Sequence, residues 1–420
     1  MSMDHTITAP LVRGLCINAI GQSRVVIPGD VEEVPSQALI VDLASAWGDA
    51  APDEERAAKI FHEAYTAWEF ELSPAGVEAA TQKIIPKKQP TCVAVKFGES
   101  TEALYWIDQD LDEAQKRRAA KNAGPVDSYT PSEYEVKRIG TAADRSAVVK
   151  DKIALVTGGA QGFGEEIVRA LAASGALVFI ADLNFAGAQA LANQLNALEK
   201  RTAAIPVAVD VSDEASVEAM FRTVAETTGG LDLCISNAGI VKAGSVLDQD
   251  LQAFNLVTGI NYTGYFLMVK QCARMLRRQY WTAPAWKTDI IQINSKSGLE
   301  GSNKNGAYAG GKFGSIGLTA SFALELVDYN IKVNAICPGN FFDGPLWSDP
   351  EKGLFVQYLK TGKVPGARTV ADVKAFYAAK VPMKRGCTGA DVMRAIYYIV
   401  EQEYETGQAI PVTGGQVMLH

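Results

Sequence analysis

From residue 151 onward, short apolar runs rich in β-branched residues alternate with segments of helical periodicity. The runs are 153–157, 177–182, 205–209, 231–236, 290–294, 331–336 and 408–412. Strands that alternate with helices form parallel sheets, because each crossover helix returns the chain to the same end of the sheet. The pattern therefore predicts an α/β fold with a doubly wound parallel sheet over residues 151–420. In such sheets ligands bind at the carboxyl ends of the strands.

A glycine-rich turn follows the first of these runs. Between the strand and a predicted helix lies the sequence Thr157-Gly158-Gly159-Ala160-Gln161-Gly162-Phe163-Gly164. Glycine allows a close backbone approach, and a helix N-terminus offers free N–H groups and a positive dipole end to a phosphate. A glycine-rich turn by itself also occurs in ordinary loops, but the order strand, turn, helix favours a Rossmann-type dinucleotide site. The predicted cofactor contacts in the turn are Gly158, Gln161, Gly162, Phe163 and Gly164.

The second run ends at Asp182, about 20 residues beyond the glycines. A carboxylate at this place can accept hydrogen bonds from a ribose diol and would repel a 2′-phosphate, so NAD is predicted rather than NADP. The alternative for Asp182 is a cap of the next helix. Later strand-end residues that could line the adenine and ribose pocket are Asp210, Val211, Asn237, Ala238 and Gly239.

A Tyr and a Lys four residues apart, Tyr308 and Lys312, share one face of a predicted helix. A cation near a phenol lowers the phenol's pKa, so Tyr308 is predicted to exchange a proton with a substrate oxygen near neutral pH. Ser295 ends a predicted strand and could hydrogen-bond the reacting oxygen. Ser297 competes for that role, and the 13-residue interval to Tyr308 favours Ser295. Asn261 could hold a water that relays protons to Lys312.

In order and spacing these motifs resemble the short-chain dehydrogenase/reductase family. The resemblance covers residues 151–420 and implies a catalytic tetrad of Asn261, Ser295, Tyr308 and Lys312, with hydride transfer between a nicotinamide and a substrate carbon. It also implies cofactor contacts from Tyr308, Lys312, Pro338 and Gly339. Where the family often has a Thr after the Pro-Gly pair, this chain has Asn340, so cofactor contacts there are in doubt. The expected assembly is a homodimer or homotetramer.

Within that family, the segments 291–298, 381–387 and 412–418 are similar to bacterial sorbitol-6-phosphate 2-dehydrogenases. The resemblance implies interconversion of sorbitol 6-phosphate and fructose 6-phosphate with NAD. Residues 341–385 are predicted to form a substrate lid. The alternatives are a dehydrogenase of an unphosphorylated polyol or another secondary alcohol, and a non-catalytic NAD-binding regulator. Candidate phosphate-binding cations, each otherwise a solvated surface charge, are Lys242, Lys296, Lys304, Lys384 and Arg385.

Composition excludes several other classes of function. The chain has 40 Lys and Arg against 48 Asp and Glu, a net charge of −8, so nothing favours binding to nucleic acid or to an anionic membrane. Its six cysteines form no CxxC pair and its three histidines are dispersed, so no disulfide framework and no metal site is predicted. The first ten residues contain no apolar segment of the secretory type, and a cytoplasmic protein is expected.

Residues 1–121 follow a different pattern. A helix is predicted at 53–68, a hairpin at 91–97 and 102–107, and a second helix at 110–121. Together they predict an N-terminal α+β module of unknown role, structural or for oligomerisation. The stretches 53–68 and 105–118 resemble the tail of class II sugar-phosphate aldolases that are fused to dehydrogenases, but the metal-binding histidines of an active aldolase are missing. The polar segment 122–150 is predicted to be a linker or strap.

Overall fold

The computed structural model describes residues 5–20, 22–31, 34–35, 37–43, 46, 53–72, 88–97, 100–123, 126–127, 145–351, 353–360, 362 and 364–418. Its helices are α1 (His5–Ile20), α2 (Glu54–Leu72), α3 (Leu111–Ala120), α4 (Gly162–Ala173), α5 (Phe185–Glu199), α6 (Glu214–Thr228), α7 (Leu251–Thr258), α8 (Gly264–Thr282), α9 (Gly306–Leu326), α10 (Pro345–Ser348), α11 (Leu354–Lys360), α12 (Val370–Ala379) and α13 (Gly389–Glu401). Its strands are β1 (Val25–Gly29), β2 (Leu39–Asp42), β3 (Lys88–Gln89), β4 (Cys92–Phe97), β5 (Ser100–Asp108), β6 (Val126–Asp127), β7 (Ile153–Thr157), β8 (Leu177–Asp182), β9 (Ala204–Ala208), β10 (Leu233–Ser236), β11 (Thr288–Ile293), β12 (Ile331–Pro338) and β13 (Ala409–Val412). No helix among these residues is long and apolar enough to cross a membrane.

The predicted doubly wound sheet is confirmed. All seven apolar runs form strands, with ends within two residues of those predicted. The strands are all parallel and lie in the order β13-β12-β11-β10-β7-β8-β9. The order reverses between β7 and β10, so a crevice opens there at the carboxyl ends of the strands, where such sheets bind ligands.

Helices cover both faces of this sheet. On one face α4, α5 and α13 bury apolar side chains such as Ile167 and Val392 against the strands. On the other face α6, α8 and α9 do the same with residues such as Val217 and Met268. Strands that are buried on both sides carry apolar side chains at nearly every position, which is why their runs are continuous rather than alternating.

The N-terminal module has its own four-stranded sheet in the order β1-β5-β4-β2. The predicted hairpin is confirmed as the antiparallel pair β4 and β5, and both predicted helices are present as α2 and α3. The first helix, α1, has no counterpart among the predictions. Residues 8–17 of α1 are all buried, and a helix buried all round lacks the polar stripe that marks an amphipathic helix in a sequence.

The module packs directly on helices α6 and α8, which cover one face of the seven-stranded sheet. Val25 and Trp106 of its sheet belong to the same apolar cluster as the residues of α6 and α8. Helix α1 crosses α8 closely, since a Cβ on Gly14 would lie 2.1 Å from the hydroxyl oxygen of Thr282. Of the predicted linker at 122–150, residues 124–125 and 128–144 lie outside the described residues. Within the rest, β6 pairs with β3.

Candidate active site

The glycine-rich turn joins β7 to α4 where the strand order reverses. Gly158 and Gly162 both have a φ of +61°, a left-handed conformation that residues with a Cβ rarely adopt. A Cβ on Gly164 would lie 1.9 Å from the carbonyl oxygen of Gly158. The N-cap residue Gln161 makes no side-chain hydrogen bond to the helix, which leaves the first N–H groups of α4 for an anion. The turn therefore fits a dinucleotide pyrophosphate.

Hydrogen bonds from two side chains join the ends of β7 and β10 next to this turn. The hydroxyl of Thr157 accepts hydrogen bonds from the backbone N–H groups of Asn237 at 3.0 Å and Ala238 at 3.1 Å. In return the Asn237 amide donates to the carbonyl oxygens of Thr157 at 2.9 Å and Gly158 at 3.1 Å. The segment that continues to Gly239 is thereby held against the predicted cofactor turn.

Asp182 ends β8 and is almost fully buried. One carboxylate oxygen accepts a hydrogen bond from the N–H of Ala160 at 2.9 Å, and the other accepts one from Asn184 at 2.8 Å. The cap of α5 is Asn184, whose side chain accepts from Gly187. Asp182 is therefore bound to the glycine-rich turn and is not the N-cap residue of the next helix.

The other predicted cofactor residues lie at the ends of β9 and β12. Asp210 accepts hydrogen bonds from the N–H and hydroxyl of Ser212, and the neighbouring Val211 is buried. After Pro338, a Cβ on Gly339 would lie 2.7 Å from Oε1 of Gln416, so the C-terminal segment packs closely on this turn. The carboxyl ends of these strands and of β7 lie at the same end of the parallel sheet.

Aromatic stacking connects the turn after β12 to the glycine-rich turn. The rings of Phe163 and Phe341 stack with centroids 4.3 Å apart and 14° between their planes. Phe341 lies beyond Asn340, where the expected Thr is absent. An aromatic contact across the predicted cofactor turn was not apparent from the sequence.

Ser295, Tyr308 and Lys312 come together beside β11. Tyr308 lies beside Ser295, which acts to lower the pKa of the Tyr308 hydroxyl, and the Ser295 hydroxyl accepts a hydrogen bond from the N–H of Ser297 at 3.1 Å. Lys312 donates from Nζ to the carbonyl oxygen of Ile293 at 2.9 Å, with Nζ 5.7 Å from the centroid of the Tyr308 ring. The structure thus pairs Tyr308 with Ser295, the residue that the spacing favours over Ser297.

The pKa of the Tyr308 hydroxyl lies above its ordinary value, opposite to the lowering that the spacing predicts. Burial raises the pKa of the Tyr308 hydroxyl, and the neighbouring Ser295 opposes that rise. Burial also lowers the pKa of Lys312 to about 8. Burial disfavours the charged form of each group, so it moves the two pKa values in opposite directions. Sequence spacing predicted the proximity of these groups but not their burial.

Asn261 lies in a π-helical turn, Gly259–Thr263, between α7 and α8. Single π-helical turns inside helices are frequent at functional sites. The buried Asn261 carboxamide accepts a hydrogen bond from the N–H of Ile240 and donates one to its carbonyl oxygen, both at 2.9 Å. These bonds join the helix to the segment that follows Gly239, and on its other side a Cβ on Gly311 of α9 would lie 3.6 Å from Cβ of Asn261.

Two polar residues that contact site residues were missed by sequence reasoning. Thr157 ends β7, and its hydroxyl accepts a hydrogen bond from the N–H of Asn237. Asn294 lies between β11 and Ser295 and accepts a hydrogen bond from the N–H of Ser295 at 2.8 Å. A polar residue at the carboxyl end of an otherwise apolar strand was the available signal for both.

The five predicted phosphate-binding cations fall into two groups. Arg385 is already engaged, since it makes two hydrogen bonds to the carboxylate of Asp391, and Lys384 donates to the carbonyl oxygen of Ala379. Within the described residues, no carboxylate pairs with Lys242, Lys296 or Lys304. The loops that carry Lys242 and Lys304 are joined by a hydrogen bond from Gly244 N to Lys304 O at 2.9 Å.

The predicted lid segment contains α10, α11 and α12. These helices enclose an aromatic cluster in which Trp347 lies within 5.2 Å of the rings of Phe342, Phe355 and Tyr377, measured between centroids. Phe342 is fully buried and Trp347 nearly so. The segment therefore has a small core of its own, separate from the clusters on the two faces of the sheet.

The sequence matches the family described as short chain dehydrogenase over residues 152–347. It is 37% identical to the sorbitol-6-phosphate 2-dehydrogenase of Escherichia coli (strain K12) over 271 residues, which are 64% of this chain and 99% of that enzyme. It is 32% identical to the galactitol 2-dehydrogenase of Agrobacterium fabrum over 272 residues, 64% of this chain and 99% of that enzyme. The crystal structure of sorbitol-6-phosphate 2-dehydrogenase from Erwinia amylovora superposes with a TM-score of 0.58 and 39% identity, covering 63% of this chain and 100% of that one. This chain belongs to the short-chain dehydrogenase/reductase family.

Proposed function

We propose that the chain is an NAD-dependent dehydrogenase that interconverts a sugar-alcohol phosphate and a keto-sugar phosphate, sorbitol 6-phosphate and fructose 6-phosphate. The observation that carries the proposal is the meeting of Ser295, Tyr308 and Lys312 beside a glycine turn that fits a dinucleotide. The substrate is supported by similarity to the Escherichia coli enzyme over 99% of its length.

The proposed chemistry uses the hydroxyls of Ser295 and Tyr308. Both hydrogen-bond the substrate oxygen, and Tyr308 takes the hydroxyl proton when the alcohol is oxidised or returns it when the ketone is reduced. Lys312, whose pKa burial lowers to about 8, carries its charge beside Tyr308, with Nζ 5.7 Å from the ring centroid, and a cation at this place favours the ionised phenol. Asn261 holds its helix turn beside Ile240. When bound, NAD supplies the hydride acceptor.

The cofactor would be held by the glycine-rich turn, by the strand-end residues and by Lys312. We assign the preference for NAD to Asp182, because its carboxylate adjoins the turn and would repel a 2′-phosphate. The pyrophosphate would lie at the N-terminus of α4. The segments after β10 and β12 would contact the ribose and the nicotinamide, with residues Asn237, Ala238, Gly239, Pro338 and Gly339.

Replacing Asp182 by Ala is expected to weaken NAD binding about 10-fold or more. The difference between the affinities for NAD and NADP should also become smaller, because the ribose acceptor and the repulsive charge disappear together. Dissociation constants for NADH and NADPH, measured by fluorescence, would test this. Asp213→Ala, at the N-cap of α6, is the control and should leave the ratio of the two constants unchanged. If Asp182→Ala lowered the affinities for NADH and NADPH by the same factor, Asp182 would support the glycine-rich turn without selecting the cofactor.

Phosphate recognition is assigned to three candidate lysines that pair with no carboxylate of the described part of the chain, Lys242 and Lys304 on their joined loops and Lys296 beside Ser295. Losing one charged contact costs about 1.5–3 kcal/mol, or roughly 10–150-fold in binding. Lys242→Ala and Lys304→Ala should therefore lower kcat/KM for sorbitol 6-phosphate by that factor and leave kcat/KM for sorbitol unchanged. Lys287→Ala is the control, because Lys287 pairs with Glu403 at the opposite end of the sheet.

A dehydrogenase of an unphosphorylated polyol is the second candidate, favoured by the similarity to the galactitol 2-dehydrogenase. NADH formation should be followed with sorbitol, galactitol and sorbitol 6-phosphate side by side. Comparable kcat/KM values for sorbitol and its phosphate would refute phosphate recognition and support this candidate. Absence of turnover with every polyol and polyol phosphate, while NADH still binds, would favour a non-catalytic NAD-binding regulator.

A further inference from the structure

The carboxamide of Asn294 connects the strand that carries Ser295 to the helix that carries Tyr308 and Lys312. Its oxygen accepts a hydrogen bond from the N–H of Ser295 at 2.8 Å. Its nitrogen donates to the carbonyl oxygen of Lys312 at 3.0 Å, to Oγ of Ser315 at 3.2 Å and to Oε1 of Gln292 at 2.8 Å. One side chain thus contacts the backbone of two residues of the predicted catalytic tetrad, Ser295 and Lys312.

The orientation of this carboxamide is determined by its partners. The N–H of Ser295 can only donate and the carbonyl oxygen of Lys312 can only accept, so a flipped amide would face two repulsive contacts. The turn after Ser295 also closes over it, since a Cβ on Gly298 would lie 2.2 Å from Oδ1 of Asn294. Asn294 is almost fully buried, and in a buried site such bonds are costly to leave unmade.

The hydrogen-bond network extends along α9 away from the site. The hydroxyl of Ser315 donates to the carbonyl oxygen of Lys312 at 3.1 Å, and the hydroxyl of Thr319 donates to the carbonyl oxygen of Ser315 at 2.9 Å. Thr319 also pairs with the hydroxyl of Tyr265 on α8 at 3.0 Å. Only Asn294 contacts both Ser295 and Lys312 among the side chains of this described network.

Ser295 and Tyr308 belong to different elements, so the separation of their hydroxyls depends on where α9 lies relative to the end of β11. We propose that Asn294 is a positioning residue of the oxidoreductase reaction: its carboxamide sets α9 against β11 and so holds the Ser295 hydroxyl within reach of the Tyr308 hydroxyl. This rests on the proposed function, in which those two hydroxyls bind the reacting oxygen. Asn294 itself does not touch the substrate.

The test compares Asn294→Ala and Asn294→Asp with a matched control, Thr319→Val. Thr319 is buried and belongs to the same network but touches neither Ser295 nor the backbone of Lys312. Asn294→Ala should lower kcat for sorbitol 6-phosphate oxidation about 10–100-fold, because small misplacements of catalytic groups are costly. The KM for the substrate and the dissociation constant for NADH should change less than about threefold. Thr319→Val should lower the melting temperature and leave kcat unchanged.

Asn294→Asp distinguishes positioning from loss of packing, because the two side chains have nearly the same volume. A carboxylate would repel the carbonyl oxygen of Lys312, whereas a protonated carboxyl group can donate to it. The kcat of this variant, divided by that of the parent at the same pH, should therefore rise as the pH falls from 8 to 6. A ratio that stays constant across this range, at any value, would contradict the proposal.

A readout without substrate separates this proposal from the proposed function. The chain contains 14 tyrosines, and 13C labelling at Cζ, with Tyr308→Phe to assign the signal, reports the pKa of Tyr308. Because Ser295 acts to lower that pKa, displacing Ser295 in Asn294→Ala should raise it and Thr319→Val should not. If the parent oxidises no polyol phosphate, the proposed function fails, and the titration of Tyr308 still decides whether Asn294 positions Ser295. An unchanged Tyr308 pKa in Asn294→Ala would overturn the proposal.

Discussion

Tyr308→Phe is expected to lower turnover by about 100–10,000-fold while NADH still binds within a few-fold of the parent affinity. The phenol is the proposed proton donor and acceptor, and general acid–base catalysis by one group contributes about 100–10,000-fold. The ring itself is retained, so packing around the Ser295 and Lys312 side chains should change little. Steady-state NADH formation and NADH fluorescence titration measure the two quantities.

Tyr397→Phe provides the control for loss of a phenol hydroxyl. Tyr397 forms a hydrogen bond with Ser174 at 2.9 Å, and its ring packs with the apolar cluster on the face of the sheet that α13 covers. This variant should keep full turnover. If Tyr308→Phe stayed within a few-fold of the parent rate, Tyr308 could not be the proton-transfer group, and the proposed mechanism would fail.

The fold could be predicted because its signals are local. A continuous apolar run followed by a helical period identifies each strand and crossover helix without knowledge of distant contacts. The glycine-rich turn is equally local, since the left-handed φ of Gly158 and the close approach at Gly164 each require a missing Cβ at one position. The spacing of Tyr308 and Lys312 predicts a shared helix face for the same reason.

What the sequence does not predict depends on contacts between distant residues. In the sequence, Asn294 is a polar residue next to Ser295 with no distinguishing feature. Its contacts with Lys312 and Ser315 form only in the folded chain. The sign of the Tyr308 pKa shift depends on burial, which spacing does not reveal. Helix α1 cannot be predicted from an amphipathic pattern, because residues 8–17 are buried on all sides and no polar stripe marks the helix.

The division of the chain into an N-terminal module, residues 1–121, and a catalytic part, residues 151–420, stays a proposal. The contacts between the two parts indicate that the N-terminal module stabilises the folded chain and is not simply attached to the catalytic part by a linker. Arg13 on α1 is fully buried and donates to the carboxylate of Asp232 at 2.8 Å, to the Ser23 hydroxyl at 2.7 Å and to the carbonyl oxygen of Arg24 at 2.8 Å. Arg13 and Asp232 are 219 residues apart in the sequence, so no sequence motif predicts that they pair.

Asp232 anchors this contact at the amino end of β10. Its carboxylate also accepts hydrogen bonds from the N–H of Ile153 at 2.8 Å and from the indole N–H of Trp286 at 3.0 Å. Burial by itself would raise the pKa of Asp232, but the charge of Arg13, assisted by Lys152 and these hydrogen bonds, holds it below the ordinary value. The ion pair therefore joins the module to two strands of the large sheet.

Arg13→Met is expected to lower the free energy of unfolding by about 3–5 kcal/mol at neutral pH, because it leaves a buried carboxylate without its cation. Urea unfolding followed by circular dichroism measures the loss. Arg145→Met is the control: Arg145 pairs with Glu401 at 3.6 Å with both side chains largely exposed, and exposed pairs contribute only about 0–1 kcal/mol. Turnover of the folded Arg13 variant should stay near that of the parent, because the pair lies at the end of the sheet opposite the candidate active site.

The pH dependence separates loss of the ion pair from loss of packing. In the parent, the lowered pKa of Asp232 means that its stabilising contribution is present above the ordinary value of 3.8 and is lost only as the pH falls through the lowered value. In Arg13→Met, burial would raise the pKa of Asp232, so protonation on acidification relieves the unpaired charge. The difference in unfolding free energy between parent and variant should therefore shrink steadily as the pH falls from 7 toward 4. A difference that is the same at every pH would mean that Arg13 contributes packing alone, and that no ion pair holds the module to the sheet.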